Sequence, residues 1–242
     1  YKNLGVDILV STKVESVVDS GDKVTVTYTD NKSGAQGSIE ADKVLMSIGF
    51  APRVEGFGLE NTGVKLTERG AIDIDDHMRT NVEGIYAIGD VTMKLQLAHV
   101  AYTEGIAAAE RIAGIAVADI DYLGIPRVTY CTPEVASVGR TEEQARAEGR
   151  DIEVEVFNFQ GVGKANIVGE GGIVKVIAEK GGAVLGVHMV GPHVTDLISE
   201  AMLITNWEAA PAEVAALIHP HPTLSEALGE AHLALAGKPL HN

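Results

Sequence analysis

With a single cysteine, Cys131, the 242-residue chain cannot build a disulfide framework or carry an internal dithiol redox pair. Such cysteine usage is compatible with a reducing, cytoplasmic setting, and a small buried thiol is the expected state of Cys131. No Gly-x-Gly-x-x-Gly run occurs anywhere in the chain. The loop that lets backbone amides approach a pyrophosphate at a helix N-terminus is therefore missing. Long apolar runs are missing too, because Glu104, Glu110 and Arg111 interrupt the most apolar stretch before it could cross a bilayer. Basic residues are outnumbered, and the formal charge of -15 argues against nucleic acid and anionic membranes as partners. The acidic surface fits solubility, or docking to a basic carrier domain. There is no internal repeat and no low-complexity segment. The histidines at 188, 193, 232 and 241 have no metal-ligand spacing, and neither a metal nor a catalytic role is assigned to them.

What is present suffices for one or two cores, with 45% hydrophobic and 22% charged residues. The reading is an α+β chain in three parts: 1–53, 54–118 and 119–242. In the first, strands are predicted over Val6 to Val10, Val24 to Tyr28 and Lys43 to Ile48, with a turn at Asn31 to Gly34. Gly49, which follows, reads by itself as an ordinary strand-end turn. In the second, Thr80 to Asp90 reads as a short apolar strand that stops at Gly89-Asp90, and a helix starts at Gln96 and continues through Arg111. Gly89 permits a close approach, and the Asp90 carboxylate can accept hydrogen bonds from vicinal hydroxyls of a polyol. In the third, four strands are predicted for an antiparallel sheet: Val128 to Thr132, Ile152 to Phe159, Gly172 to Ala178 and Ala183 to Val190. Helices at Thr141 to Glu148, Val194 to Trp207, Ala212 to Ile218 and Leu224 to Ala236 flank it, the first opened by a Thr-Glu-Glu-Gln capping box.

The run His219-Pro220-His221-Pro222-Thr223-Leu224-Ser225-Glu226 carries the most chemistry. Two prolines among four residues disfavour a helix and place His221 on a stiff loop. Thr223 and Glu226 have the spacing of a capping box, a structural role. The same carboxylate, in a first helical turn, can also accept a hydrogen bond from an imidazole N–H and fix its tautomer. The two roles are compatible.

Residues 218–230 resemble the C-terminal signature of dihydrolipoamide dehydrogenase, a class I pyridine nucleotide-disulfide oxidoreductase. The resemblance continues through Ser47-Ile48-Gly49-Phe50-Ala51-Pro52, the Thr80 to Asp90 string, Leu97-Ala98-His99 and the Thr132 to Gly139 segment. It implies His221 as an acid/base with Glu226 orienting it, and His219 as a neighbour. It also implies that FAD meets Asp90, Gln96, Leu97, Ala98 and His99, and that NAD meets Gly49 and the Val14 backbone. Gln96 stands where the family usually has Met. The parts then become the tail of an NAD-binding domain, an FAD-contacting segment and an interface domain that forms a homodimer. A lipoyl-bearing domain of a 2-oxoacid dehydrogenase complex is the implied partner.

The family's two phosphate loops and its Cys-x4-Cys disulfide are absent, and the first residue is Tyr1 rather than Met. The expectation is a C-terminal part of a longer enzyme, inactive by itself. The alternatives are a disulfide reductase of the glutathione or mycothione type, and a non-catalytic dimerisation or docking module.

Overall fold

The structure is a computed structural model that describes residues 2–241. It divides into two compact units, one ending at Ala51 and the other running from Pro52. The α+β class expected from the sequence is the class observed, with antiparallel sheets throughout.

The N-terminal unit is a meander of β1 (Thr12–Asp19), β2 (Val24–Asp30) and β3 (Gln36–Ala41). Alternating valine and threonine in β2 suits a half-buried pleated surface, and Val26 pairs with Val17 on one side and Ile39 on the other. The Asn31 to Gly34 turn closes the second hairpin, with the Gly34 amide donating to the Asp30 carbonyl at 2.8 Å. Two predicted strands are not there. Val6 to Val10 and Lys43 to Ile48 run without ladder partners among the described residues. A strand is defined by its neighbour, and apolar composition alone cannot supply one. Leu45 is 90% and Ile48 87% exposed.

The second unit begins with an irregular stretch held by two isolated bridges, Leu66 to Ile72 and Arg79 to Tyr86. The strand predicted over Thr80 to Asp90 is reduced to the second of these. The chain folds back on itself at residues 81–84 and makes too few backbone hydrogen bonds for a ladder. Helix α1 (Ala98–Ile112) follows, and its Ala107 and Ala108 pack with the wholly buried Met78. It starts two residues later than predicted because Leu97 is extended and serves as N-cap.

A five-stranded antiparallel sheet then forms in the order β4-β5-β8-β7-β6. Its strands are β4 (Arg127–Thr129), β5 (Glu134–Gly139), β6 (Ile152–Asn158), β7 (Ile173–Glu179) and β8 (Val184–Gly191). Between and after them run α2 (Glu142–Ala147), α3 (Gly163–Val168), α4 (Val194–Asn206), α5 (Pro211–Ala215) and α6 (Glu226–Leu235). Both halves of the capping box at Thr141 and Gln144 are made. Val176, Val187 and Met189 from the sheet meet Ile198 and Ala201 of α4 and Ala227 and Leu228 of α6, with Phe159 fully enclosed. Helix α4 lies on β5 and β8, and α6 on β6 and β7. Cys131 lies just beyond β4 and is half-buried rather than buried, with its Sγ 3.2 Å from the Pro133 carbonyl oxygen. The short β4 ends at Thr129, so Cys131 lies beyond the sheet ladder rather than within it.

Candidate active site

The loop between α5 and α6 is anchored by His219 and displays His221. His219 Nε2 lies 2.7 Å from Glu200 Oε1 on α4, and its ring fills the space above Gly229, where an added Cβ would come within 2.6 Å of Nδ1. Hydrogen bonding to Glu200 raises the His219 pKa against the opposing effect of burial. Two residues later, the His221 side chain is 74% exposed. Its Nδ1 is 2.8 Å from Glu226 Oε1, and no hydrogen bond engages Nε2 among the described residues.

Glu226 uses both carboxylate oxygens. Oε2 accepts from the Thr223 amide at 2.8 Å while Oε1 holds His221. Half of the capping box is therefore formed. The other half is not: the Thr223 hydroxyl donates to the Pro220 carbonyl at 2.7 Å or pairs with the Ser225 hydroxyl at 2.8 Å, and α6 begins only at Glu226 with Ser225 as its N-cap. Burial disfavours the charge of Glu226, but the Thr223 amide and His221 outweigh it and lower the pKa. The carboxylate is ionised throughout the neutral range. An imidazole oriented through Nδ1 by such a group presents Nε2 as a proton donor or acceptor.

A second cluster forms where α1 meets the Gly89–Thr92 turn. Gly89 is buried with φ +71, and an added Cβ would come within 3.1 Å of Ala101 Cβ, so the close approach requires glycine. Asp90 is exposed, and its carboxylate accepts no hydrogen bond from the described residues. Gln96 and Leu97 precede α1, whose N-terminus carries no side-chain cap, and Ala98 opens the helix. An unengaged carboxylate beside an uncapped helix N-terminus fits a group that bears both hydroxyls and an electron-rich edge. His99 Nε2 is 3.0 Å from the Pro126 carbonyl oxygen, which ties the first turn of α1 to the segment entering β4.

Val14 and Gly49 lie in the N-terminal unit, with no hydrogen bond between them. Val14 sits in β1 beside the irregularity between Val14 and Ser16. Gly49 has φ +111, a backbone conformation that favours glycine, and nothing within 4 Å of where a Cβ would stand.

Two buried acids escaped the sequence reading. Glu104 is wholly buried, and Glu230, 6% exposed, holds the Leu240 and His241 amides and the His241 ring. A signal for Glu104 existed, since it falls on the same helical face as Val100, Ala107 and Ala108. No group of three or more potential metal ligands occurs among the described residues, and no described helix is long and apolar enough to cross a membrane.

Comparison with known proteins matches residues 1–105 to the pyridine nucleotide-disulphide oxidoreductase family and residues 125–232 to the dimerisation domain of that family. The chain is 51% identical to the dihydrolipoyl dehydrogenase of Corynebacterium glutamicum, over 98% of its own length and 52% of the relative's. It is 45% identical to that of Bacillus subtilis, over 99% of its own length and 51% of the relative's. Among solved structures it is similar to LpdA from Mycobacterium tuberculosis, with a TM-score of 0.83 at 29% identity over 93% of this chain and 48% of the other. The HOCl-induced flavoprotein disulfide reductase RclA from Escherichia coli gives a TM-score of 0.85 at 25% identity over 96% of this chain and 52% of the other. The chain thus spans about half the length of the relatives it matches. The two family matches lie in sequence order on a chain with the corresponding fold: it belongs to the pyridine nucleotide-disulphide oxidoreductase family.

Proposed function

We propose that the chain forms the C-terminal part of an FAD- and NAD-dependent dihydrolipoyl dehydrogenase, and that it supplies the acid/base pair for dithiol oxidation. The observation that carries this reading is the exposed His221, with Nδ1 held 2.8 Å from Glu226 Oε1 and Nε2 unengaged. His221 Nε2 takes a proton from a dihydrolipoyl thiol, and the thiolate attacks a disulfide contributed by the other subunit. A thiol of reference pKa about 8.5 gives its proton to an imidazole of about 6.5 at a cost of nearly 3 kcal/mol. Pairing with the new thiolate and support from Glu226 offset that cost.

FAD and NAD are the cofactors of the family: when bound, FAD would relay two electrons from the dithiol and NAD would accept them. On this reading Asp90, Gln96, Leu97, Ala98 and His99 hold FAD, and Gly49 and Val14 meet NAD. Residues 1–53 close an NAD-binding domain, 54–118 face the flavin, and 119–242 form the interface of a cytoplasmic homodimer. Exposed Leu217 and Ile218, next to the His219 loop, favour such an interface. The lipoyl-bearing domain of a 2-oxoacid dehydrogenase complex delivers the substrate. The 242 residues alone are inactive, because neither a redox disulfide nor a dinucleotide phosphate loop is encoded in them.

The test is His221→Ala in the complete enzyme. Reduction by dihydrolipoamide falls by about 10²- to 10⁴-fold, while NADH oxidation by artificial acceptors is spared. Equal loss of both activities contradicts the assigned role. Glutathione outperforming dihydrolipoamide as reductant points instead to a glutathione-reductase-like enzyme.

A further inference from the structure

Glu104 is a carboxylate with 0% exposure and no ion pair among the described residues, a costly arrangement unless its oxygens are satisfied by good donors. Both are. Oε2 accepts from the Gly89 amide at 2.6 Å, and Oε1 accepts from the Tyr122 hydroxyl at 2.7 Å. On the other side of Gly89, the buried Thr92 hydroxyl donates to its carbonyl at 2.8 Å. The residue before Asp90 is therefore fixed at both its amide and its carbonyl. Tyr122 is fixed in turn: burial and the Glu104 hydrogen bond raise its pKa, so its proton stays in place, and the Lys94 ammonium lies 5.2 Å from its ring centre. The same segment is joined to the sheet and to α4, with the Gly139 amide donating to the Leu123 carbonyl and Asn206 Nδ2 to the Gly124 carbonyl.

We infer that Glu104 and Tyr122 are a positioning pair, clamping the Gly89 turn so that the Asp90 carboxylate stands ready for the vicinal hydroxyls of the bound flavin cofactor. This rests on the reading of Asp90 given above. The pair touches neither cofactor nor substrate and acts through the backbone of residue 89.

The experiment is FAD titration of the apo form of the complete enzyme, followed by flavin fluorescence. Tyr122→Phe removes one hydroxyl and keeps the ring, and raises the FAD Kd by about tenfold, the equivalent of one hydrogen bond to a charged group. Glu104→Gln stays near the parent, because its carbonyl can accept from Gly89 and its amide can donate to the Tyr122 oxygen, whereas Glu104→Ala weakens binding further. In an Asp90→Ala background, Tyr122→Phe adds nothing, a non-additivity that a merely structural role would not produce. The inference is overturned if Tyr122→Phe stays within about twofold of the parent, or if its effect multiplies unchanged with Asp90→Ala. If Asp90→Ala alone leaves the Kd unchanged, the reading of Asp90 fails, and the positioning role fails with it for a separately visible reason.

Discussion

Among the described residues up to Ala51, Val24 is the buried apolar side chain, while Leu45, Ile48 and Phe50 stand in solvent at 79% exposure or more. From Pro52 onward, a five-stranded sheet and the helices on it enclose Phe159, Val176, Val187, Ala201 and Ala227 at 0% exposure. Both regions have alternating strands and apolar runs in their sequence. The difference is a second layer. Helices α4 and α6 lie over the larger sheet, whereas among the described residues of the N-terminal unit no α-helix forms to cover the three-stranded meander. Apolar pattern specifies which side chains seek burial, and an opposing layer decides whether they find it.

The contrast can be broken or sharpened by measurement. Phe159→Ala should cost about 3–5 kcal/mol, because the ring is wholly enclosed and its loss leaves a cavity. Urea unfolding of the chain checks this, and a loss under about 1 kcal/mol would mean that the second unit is no better packed than the first.

A smaller effect is expected from His219. Its pKa is raised by Glu200, so its contribution, about 1 kcal/mol, is complete below the unfolded-state pKa of about 6.5 and is lost as pH rises through the higher folded value. It is to be read as the stability difference between the parent and His219→Gln, because burial lowers the pKa of His188 and His232 and these act in the opposite direction. A difference independent of pH would remove the ion pair from the account of how the loop is anchored.

The smallest effect belongs to Ile48→Ser, within about 0.5 kcal/mol in this chain, because the side chain is 87% exposed. A loss above about 1.5 kcal/mol would show that the Lys43 to Ile48 segment is packed after all, and the contrast between the units would collapse.

The fold was legible where local chemistry is self-contained. Alternation in Val24 to Tyr28, the turn-bounded apolar segments that became β6, β7 and β8, the Thr141 capping box, and the helical segments that became α4 and α6 each state their structure within a few residues. It was illegible where structure depends on a distant partner. Val6 to Val10 and Lys43 to Ile48 have the composition of strands and no ladder to join, and Thr80 to Asp90 makes a single bridge. Helix α3 escaped because six residues opening on Gly163 have little intrinsic helical preference. Within the site, the His221 loop announces itself through its prolines. The carboxylates at 104 and 200 were missed because the meaning of each comes from a donor many residues away, Tyr122 for one and His219 for the other. An acid on the buried face of α1 was the one visible clue.

Glu226 binds the fate of the helix to that of the base. The same carboxylate closes the start of α6 through Thr223 and aims the imidazole of His221, so a misplaced helix start and a misaimed base are one event. A variant library sorted only for well-folded chains would therefore be purged, at this position, of proton-transfer defects that nobody had screened for.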